Sequence, residues 1–335
     1  MIAPADDIDS ADQPHRDPKA PPPLRTRVSE VLGVDYPVVQ APMGFIARSR
    51  LASAVSNAGG LGVIETSSGR LAEVREEMAA MRDLTDKPWG VNVAQMFVTD
   101  PDIVDFVAQE GVRFVTTSAG DPARYTDQLH DAGITVFHVV PSLRAARKAV
   151  DAGVDGLVVE GGEGGGFKNT KPVSTMVLLP QICRAFDIPV IAAGGIVDGI
   201  SMAAAFALGA EGVQMGTRMV SAAESPVHDN YKELVTRADA TDTVVLSAHS
   251  SPAYRVMRTP FSEGLEQEPS VVMGRTVGIE GILKLYFEGD LDAGFAFGGQ
   301  VAGRIDRVLP VRQIVYETVR GFYDVVSDLA RFLPR

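Results

Sequence analysis

The chain has 335 residues, 45% of them hydrophobic, 22% charged and 7% aromatic, ordinary for a globular protein with enough apolar surface for a large core and incompatible with disorder along its whole length. Its formal net charge of -12, with no basic stripe, argues against a nucleic-acid partner, which would need clustered Lys and Arg facing phosphates. No apolar run reaches the roughly 18 to 20 residues of a membrane-spanning helix and no export signal opens the chain, while the single cysteine, Cys183, has no intrachain partner; no membrane association and a cytoplasmic, reducing location are expected.

Residues 1–23 combine Asp, Pro and Ala without apolar periodicity and end in Pro21-Pro22-Pro23. Such a segment cannot bury enough surface to offset its ordering entropy, so a disordered or loosely docked leader is expected ahead of one domain over 24–335. From Leu24 onward, short runs rich in Val and Ile alternate with stretches of helical period, as strands buried on both faces of a parallel sheet should. The strand candidates are Tyr36–Ala41, Gly62–Glu65, Gly90–Ala94, Phe114–Ser118, Thr135–Val140, Gly156–Glu160, Val190–Ala193 and Gly212–Met215. Helical stretches lie between them, at Ser49–Ala58, Leu71–Met81, Ala123–Ala132, Leu143–Ala152 and Met202–Leu208. Several of these end in glycine, at Gly59, Gly133, Gly153 and Gly209, which predicts left-handed caps leading directly into the next strand. Strand–helix units in this number close a barrel, whereas an open doubly wound sheet more often has about five to seven strands. The predicted fold class is therefore α/β, a (β/α)8 TIM barrel. After Arg218 a polar, partly helical section containing Pro252, Pro260 and Pro269 runs to about Gly289; it predicts a lid-like helical excursion over the barrel mouth at about 219–289. The spacing of Ile314, Val315, Val319, Phe322 and Val325 predicts a closing helix over Val311–Phe332.

In such a barrel the active site forms at the carboxyl ends of the strands, and a phosphate commonly binds where the last two strand ends meet a helix N-terminus. Here those ends read Ala193-Gly194-Gly195-Ile196 and Gln214-Met215-Gly216-Thr217. Glycines let backbone N–H groups approach phosphate oxygens, and Thr217 adds a hydroxyl. No G-x-G-x-x-G follows the first strand and no phosphate loop ends in Gly-Lys-Ser or Gly-Lys-Thr, so the cofactor predicted is a mononucleotide.

These motifs, with Val39-Gln40-Ala41-Pro42-Met43-Gly44, Gly90-Val91-Asn92, the Glu160 to Gly166 run, Glu224-Ser225-Pro226 and Gly299-Gln300-Val301-Ala302-Gly303, resemble the nitronate monooxygenase (2-nitropropane dioxygenase) family of FMN-binding barrels. That family also contains NAD(P)H:quinone reductases and enoyl-thioester reductases. The resemblance implies FMN, with Ala41, Pro42 and Met43 beside the isoalloxazine ring and Asn92 at its polar edge. It places Gly165, Gly194, Gly195, Gln214, Met215, Gly216 and Thr217 around the ribityl phosphate. Glu160, which also counts among the cofactor-binding residues, stands where many relatives carry glutamine, and Phe167 where they carry the histidine that is their candidate base. The residues left to weigh for proton transfer or substrate contact are Glu160, Phe167 and His228. His138, His249 and Glu163 are expected in structural or surface roles and Lys168 as a solvated surface lysine. The activity implied first is oxidation of alkyl nitronates with dioxygen. The alternatives are an enoyl-thioester or quinone reductase using NADH or NADPH as electron donor, and a non-catalytic flavin-binding protein. A small-molecule substrate is expected, and a homo-oligomer is compatible with the sequence.

Overall fold

The computed structural model describes residues 19–68, 71–98, 102–249, 251–268 and 277–334. Its strands, in chain order, are β1 (Val38–Gln40), β2 (Gly62–Glu65), β3 (Trp89–Ala94), β4 (Phe114–Ser118), β5 (Thr135–Val140), β6 (Gly156–Glu160), β7 (Gly166–Lys168), β8 (Val190–Ala193), β9 (Gly212–Met215), β10 (Thr243–Leu246) and β11 (Ala253–Met257). Eight of them form a parallel sheet in the order β1-β9-β8-β6-β5-β4-β3-β2. A parallel bridge between Val39 and Leu61 joins the two ends, with the Gln40 amide donating to Leu61 O at 3.0 Å, so the sheet closes into the barrel. Left-handed glycines do end the helices as expected, with φ of 85° at Gly59, 73° at Gly133, 79° at Gly153 and 105° at Gly209.

Strand alternation divides the apolar residues into two cores. Val39, Leu61, Val63, Phe114, Phe137, Val158 and Ile191 fill the barrel interior, joined by Val28 and Leu32 from the helix Arg27–Leu32 that plugs the bottom. Two glycines make room for two rings. A Cβ at Gly90 would lie 2.7 Å from the Phe114 ring and one at Gly156 only 2.2 Å from that of Phe137. The second core packs the outward faces of the strands against the helices. The long helix Val311–Ala330 buries Val311, Ile314, Val315, Val319 and Phe322. It crosses the helix Gly199–Ala207 at Gly199, where a Cβ would be 2.3 Å from the Gly321 backbone.

The excursion after β9 is helical at Asp229–Thr236, Pro260–Leu265 and Ile279–Leu283. It also contains the antiparallel hairpin β10–β11, which the polar sequence concealed. β11 pairs in turn with β7, with Tyr254 opposite Phe167 and Ala253 opposite Lys168. The excursion is thus tied to the loop after β6. Of the two states expected for the leader, its end takes the docked one. Tyr36 donates its hydroxyl to Pro21 O at 2.7 Å, Tyr323 donates to Pro23 O at 3.2 Å, and Arg320 bonds Lys19 O, so residues 19–23 are docked on the closing helix. The rest of the leader, 1–18, lies outside the described residues. No helix among the described residues is long and apolar enough to cross a membrane.

Candidate active site

The same alternation decides which side chains reach the mouth. Two residues beyond the interior-filling positions Val39, Val63 and Val158 come Ala41, Glu65 and Glu160, and beyond the inward glycines Gly90 and Gly212 come Asn92 and Gln214. Met215, by contrast, is fully buried in the outer core. Only its backbone serves the site, its carbonyl accepting the Ala41 amide at 2.9 Å; as a side chain it is withdrawn from the cofactor set. The sequence motif named it because β9 is short and its outward residue falls inside the glycine-bearing stretch.

The strand ends form a cradle. Gly194 and Gly195 adopt φ of 83° and 82°, which favours glycine. A Cβ at Gly194 would strike Gly161 O at 2.8 Å, whereas the space before Gly195 and Gly216 is open, with no contact nearer than 3.8 and 3.5 Å. Thr217 accepts the Gly299 amide on Oγ1 at 2.9 Å, which leaves its hydroxyl hydrogen to donate. Gln214 is buried with no partner for Oε1, the mark of a polar group awaiting a ligand. Asn92 is fixed through Nδ2, which donates to Thr116 Oγ1 at 2.8 Å and Thr116 O at 3.2 Å. Ala41, Pro42 and Met43 are half-buried at the rim. Gly165 has a packing task, since a Cβ there would lie 2.7 Å from Gly298 C. An open, glycine-walled cradle fits the phosphate of a mononucleotide such as FMN, while the free Gln214 Oε1 needs a donor, which the hydroxyls of a ribityl chain would supply.

Across the mouth, Glu65 is completely buried. It accepts the Phe45 amide at 3.2 Å, the Ser67 hydroxyl at 2.7 Å and the Ser68 amide at 2.9 Å, and pairs with Arg48 at 2.9 Å. Phe45 carries a left-handed φ of 63°. The carboxylate thereby clamps the loop that presents Pro42 and Met43, a role the sequence reading missed. Its signal was the inward register of Glu65, one alternation beyond Val63.

On β6 and β7 the picture departs further from expectation. Lys168 is no surface lysine. Its side chain is 5% exposed and ion-pairs with Glu160, which is 29% exposed. Phe167 points to the other face of β7, with its ring 5.2 Å from Phe97, 5.4 Å from Tyr254 and 6.0 Å from Phe297 between centroids. Glu163 accepts the Thr175 amide at 3.0 Å and so holds the start of the helix Thr175–Ala185. His228 is corrected to a structural residue: its Nδ1 accepts the Asn230 amide at 3.1 Å, capping the helix Asp229–Thr236, and its ring is packed so tightly on Gly289 that a Cβ there would be 2.3 Å away. A nitrogen already accepting a helix N–H is poorly disposed to take a proton from a substrate. His138 faces the helices and meets Thr117 Oγ1 at 2.7 Å, with burial lowering its pKa to about 4. Burial likewise raises that of the Cys183 thiol to about 11, which suppresses the nucleophilic thiolate.

A family model described as nitronate monooxygenase matches residues 25–107 and 94–321. The chain is 39% identical over 246 residues to the (3aS,4S,5R,7aS)-5-hydroxy-7a-methyl-1-oxo-octahydro-1H-indene-4-carboxyl-CoA dehydrogenase of Mycobacterium tuberculosis, a match covering 72% of this chain and 69% of that protein. It is 30% identical to a "Probable nitronate monooxygenase" of Staphylococcus saprophyticus, covering 71% of this chain and 80% of that one. The solved structure of FabK from Thermotoga maritima superposes with a TM-score of 0.85 at 39% identity, over 92% of this chain and all of that one.

Proposed function

The chain belongs to the nitronate monooxygenase family, and from that membership we propose that it is an FMN-dependent oxidoreductase acting beside the carbonyl of a bulky, apolar acyl thioester. It is a flavin-dependent oxidoreductase as its relatives are. Ala41, Pro42, Met43 and Asn92 would border the ring of FMN, and Gly194, Gly195, Gln214, Gly216 and Thr217 its ribityl phosphate. Bound there, FMN supplies two-electron transfer, and the protein's share is binding, orientation and exclusion of water.

The observation that carries the substrate reading is Phe167. In place of an imidazole it contributes one wall of an aromatic cluster with Phe97, Tyr254 and Phe297. Such a wall takes apolar surface out of water at about 25 cal/mol per Å² and offers no base for a carbon-bound proton. A small nitronate gains little from it, whereas a bulky ring system or branched acyl group gains much. The M. tuberculosis relative, whose name gives a bicyclic carboxyl-CoA thioester as its substrate, supports the same class. Nitronate oxidation with dioxygen is the second reading, supported by the staphylococcal relative and by the missing base, since a nitronate arrives already ionised.

Anaerobic mixing with CoA thioesters separates the two. Flavin first reduced with NADH or NADPH is expected to be reoxidised by an unsaturated bicyclic or branched acyl-CoA, whose α-carbon takes its proton from solvent. Phe167→Ala should raise KM for the bulky thioester about 10- to 100-fold, as loss of a buried aromatic ring implies, and leave a short-chain thioester nearly unaffected. Rapid turnover of a nitronate with dioxygen, combined with thioesters that leave the spectrum unchanged, overturns the thioester reading in favour of the second.

A further inference from the structure

Glu160 and Lys168 together form a charged pair in the mouth. A Cβ added at Gly164 would lie 3.0 Å from Glu160 Oε1, 3.1 Å from Lys168 Nζ and 3.5 Å from Gly194 Cα. The ammonium and Gly194 of the cradle therefore flank the same point beside Gly164. Adjacent residues of a strand face opposite ways, so the aromatic wall built on Phe167 and the ammonium of Lys168 are the two faces of β7, one apolar and one turned toward the barrel axis and Glu160. Pairing of Ala253 with Lys168 and of Tyr254 with Phe167 fixes that orientation. An ammonium carries three donor hydrogens. Among the described residues Glu160 is the one polar partner of Lys168, on a side chain 5% exposed. Buried charged donors without acceptors are costly, and these lie where a ligand would supply acceptors.

We infer that Lys168 is a cofactor-facing cation: it donates to acceptor atoms of the bound flavin and favours the reduced form, which carries more negative charge than the oxidised one. Glu160 acts through it as a positioning residue, holding the ammonium at the cradle and offsetting part of its charge. The departure at Glu160 from the glutamine of many relatives then has a physical reason, because only a carboxylate answers a buried lysine. The inference rests on the FMN reading of the site and adds to it which side chain sets the cofactor's potential.

The experiment is the midpoint potential and FMN dissociation constant of the holoprotein in four forms: wild type, Lys168→Met, Lys168→Arg and Glu160→Gln. Removing the charge in Lys168→Met should weaken the preference for reduced over oxidised flavin about 10- to 100-fold, a fall of about 30 to 60 mV for a two-electron couple. Lys168→Arg keeps the charge and should stay within a third of that shift. In Glu160→Gln the opposing carboxylate is gone while the ammonium remains, so the potential should move the other way, upward. A Lys168→Met holoprotein with unchanged potential overturns the inference, as does a Glu160→Gln shift in the same direction as Lys168→Met. If Lys168→Met does not fold, the sign in Glu160→Gln decides alone. Wild-type protein that binds no FMN would instead be the failure of the cofactor reading, and the two failures are distinguished by colour before any potential is measured.

Discussion

Individual side chains show most clearly what alternation along a strand does and does not reveal. The pairing of two glycine-bearing strand ends pointed to Gly195, Gly216 and Thr217, and the family resemblance to Asn92, and the structure brings all four to one mouth. Glu65 and Lys168 were not legible, since a lone Glu ending a strand and a Lys after a Phe look like surface residues until their register is known. His228 was misleading for the opposite reason: its place after Ser225-Pro226-Val227 suggested the mouth, but the residue takes up a cap. His138 has no part in the site and makes a different test possible. Its ring is 4% exposed and burial lowers its pKa from 6.5 to about 4, so folding favours the neutral ring. That contribution is complete above the unfolded value and is lost as pH falls from 6.5 toward 4, by up to about 3 kcal/mol. Denaturant unfolding at pH 7 and pH 5 should show a loss in wild type that is largely absent in His138→Gln. Equal losses in both would mean that the acid sensitivity comes from other groups.

Secondary elements were read well where their apolar pattern was continuous. The eight barrel strands appear within a few residues of their expected limits, and Tyr36–Ala41 shortens to Val38–Gln40 because Pro37 and Pro42 bound it. The hairpin of β10 and β11 was missed because its strands are short and its stability comes from pairing with β7, a contact distant in sequence. Glycine positions, by contrast, carry tertiary information. Gly156 exists for the ring of Phe137, which a Cβ would approach to 2.2 Å. Gly156→Ala should therefore destabilise the protein by about 1–3 kcal/mol through overpacking, although alanine is otherwise a better strand residue. The second-site change Phe137→Leu should recover most of that loss on the Gly156→Ala background while being destabilising on its own. A Gly156→Ala protein as stable as wild type, by urea denaturation, would show that the interior has slack that the packing denies.

For the molecule as a whole, the barrel and its mouth are made from different parts of the chain. The barrel needs strands that end at Met215. The mouth also needs β7 paired with β11, Gly165 packed on Gly298, and the Gly299 amide on Thr217, contacts between segments far apart in sequence. Closing long loops is entropically slow compared with joining neighbouring strand–helix units. The consequence is temporal. During refolding from denaturant, the far-ultraviolet signal of the barrel should return first, and quenching of added FMN fluorescence should follow with a measurable lag. That lag should lengthen in Tyr254→Ala, which weakens the β7–β11 seam without touching the cradle. Simultaneous recovery of both signals would place the seam within the folding nucleus. With the lag, FMN capture becomes the final event of maturation, and the yellow colour of a preparation counts the chains that have completed it.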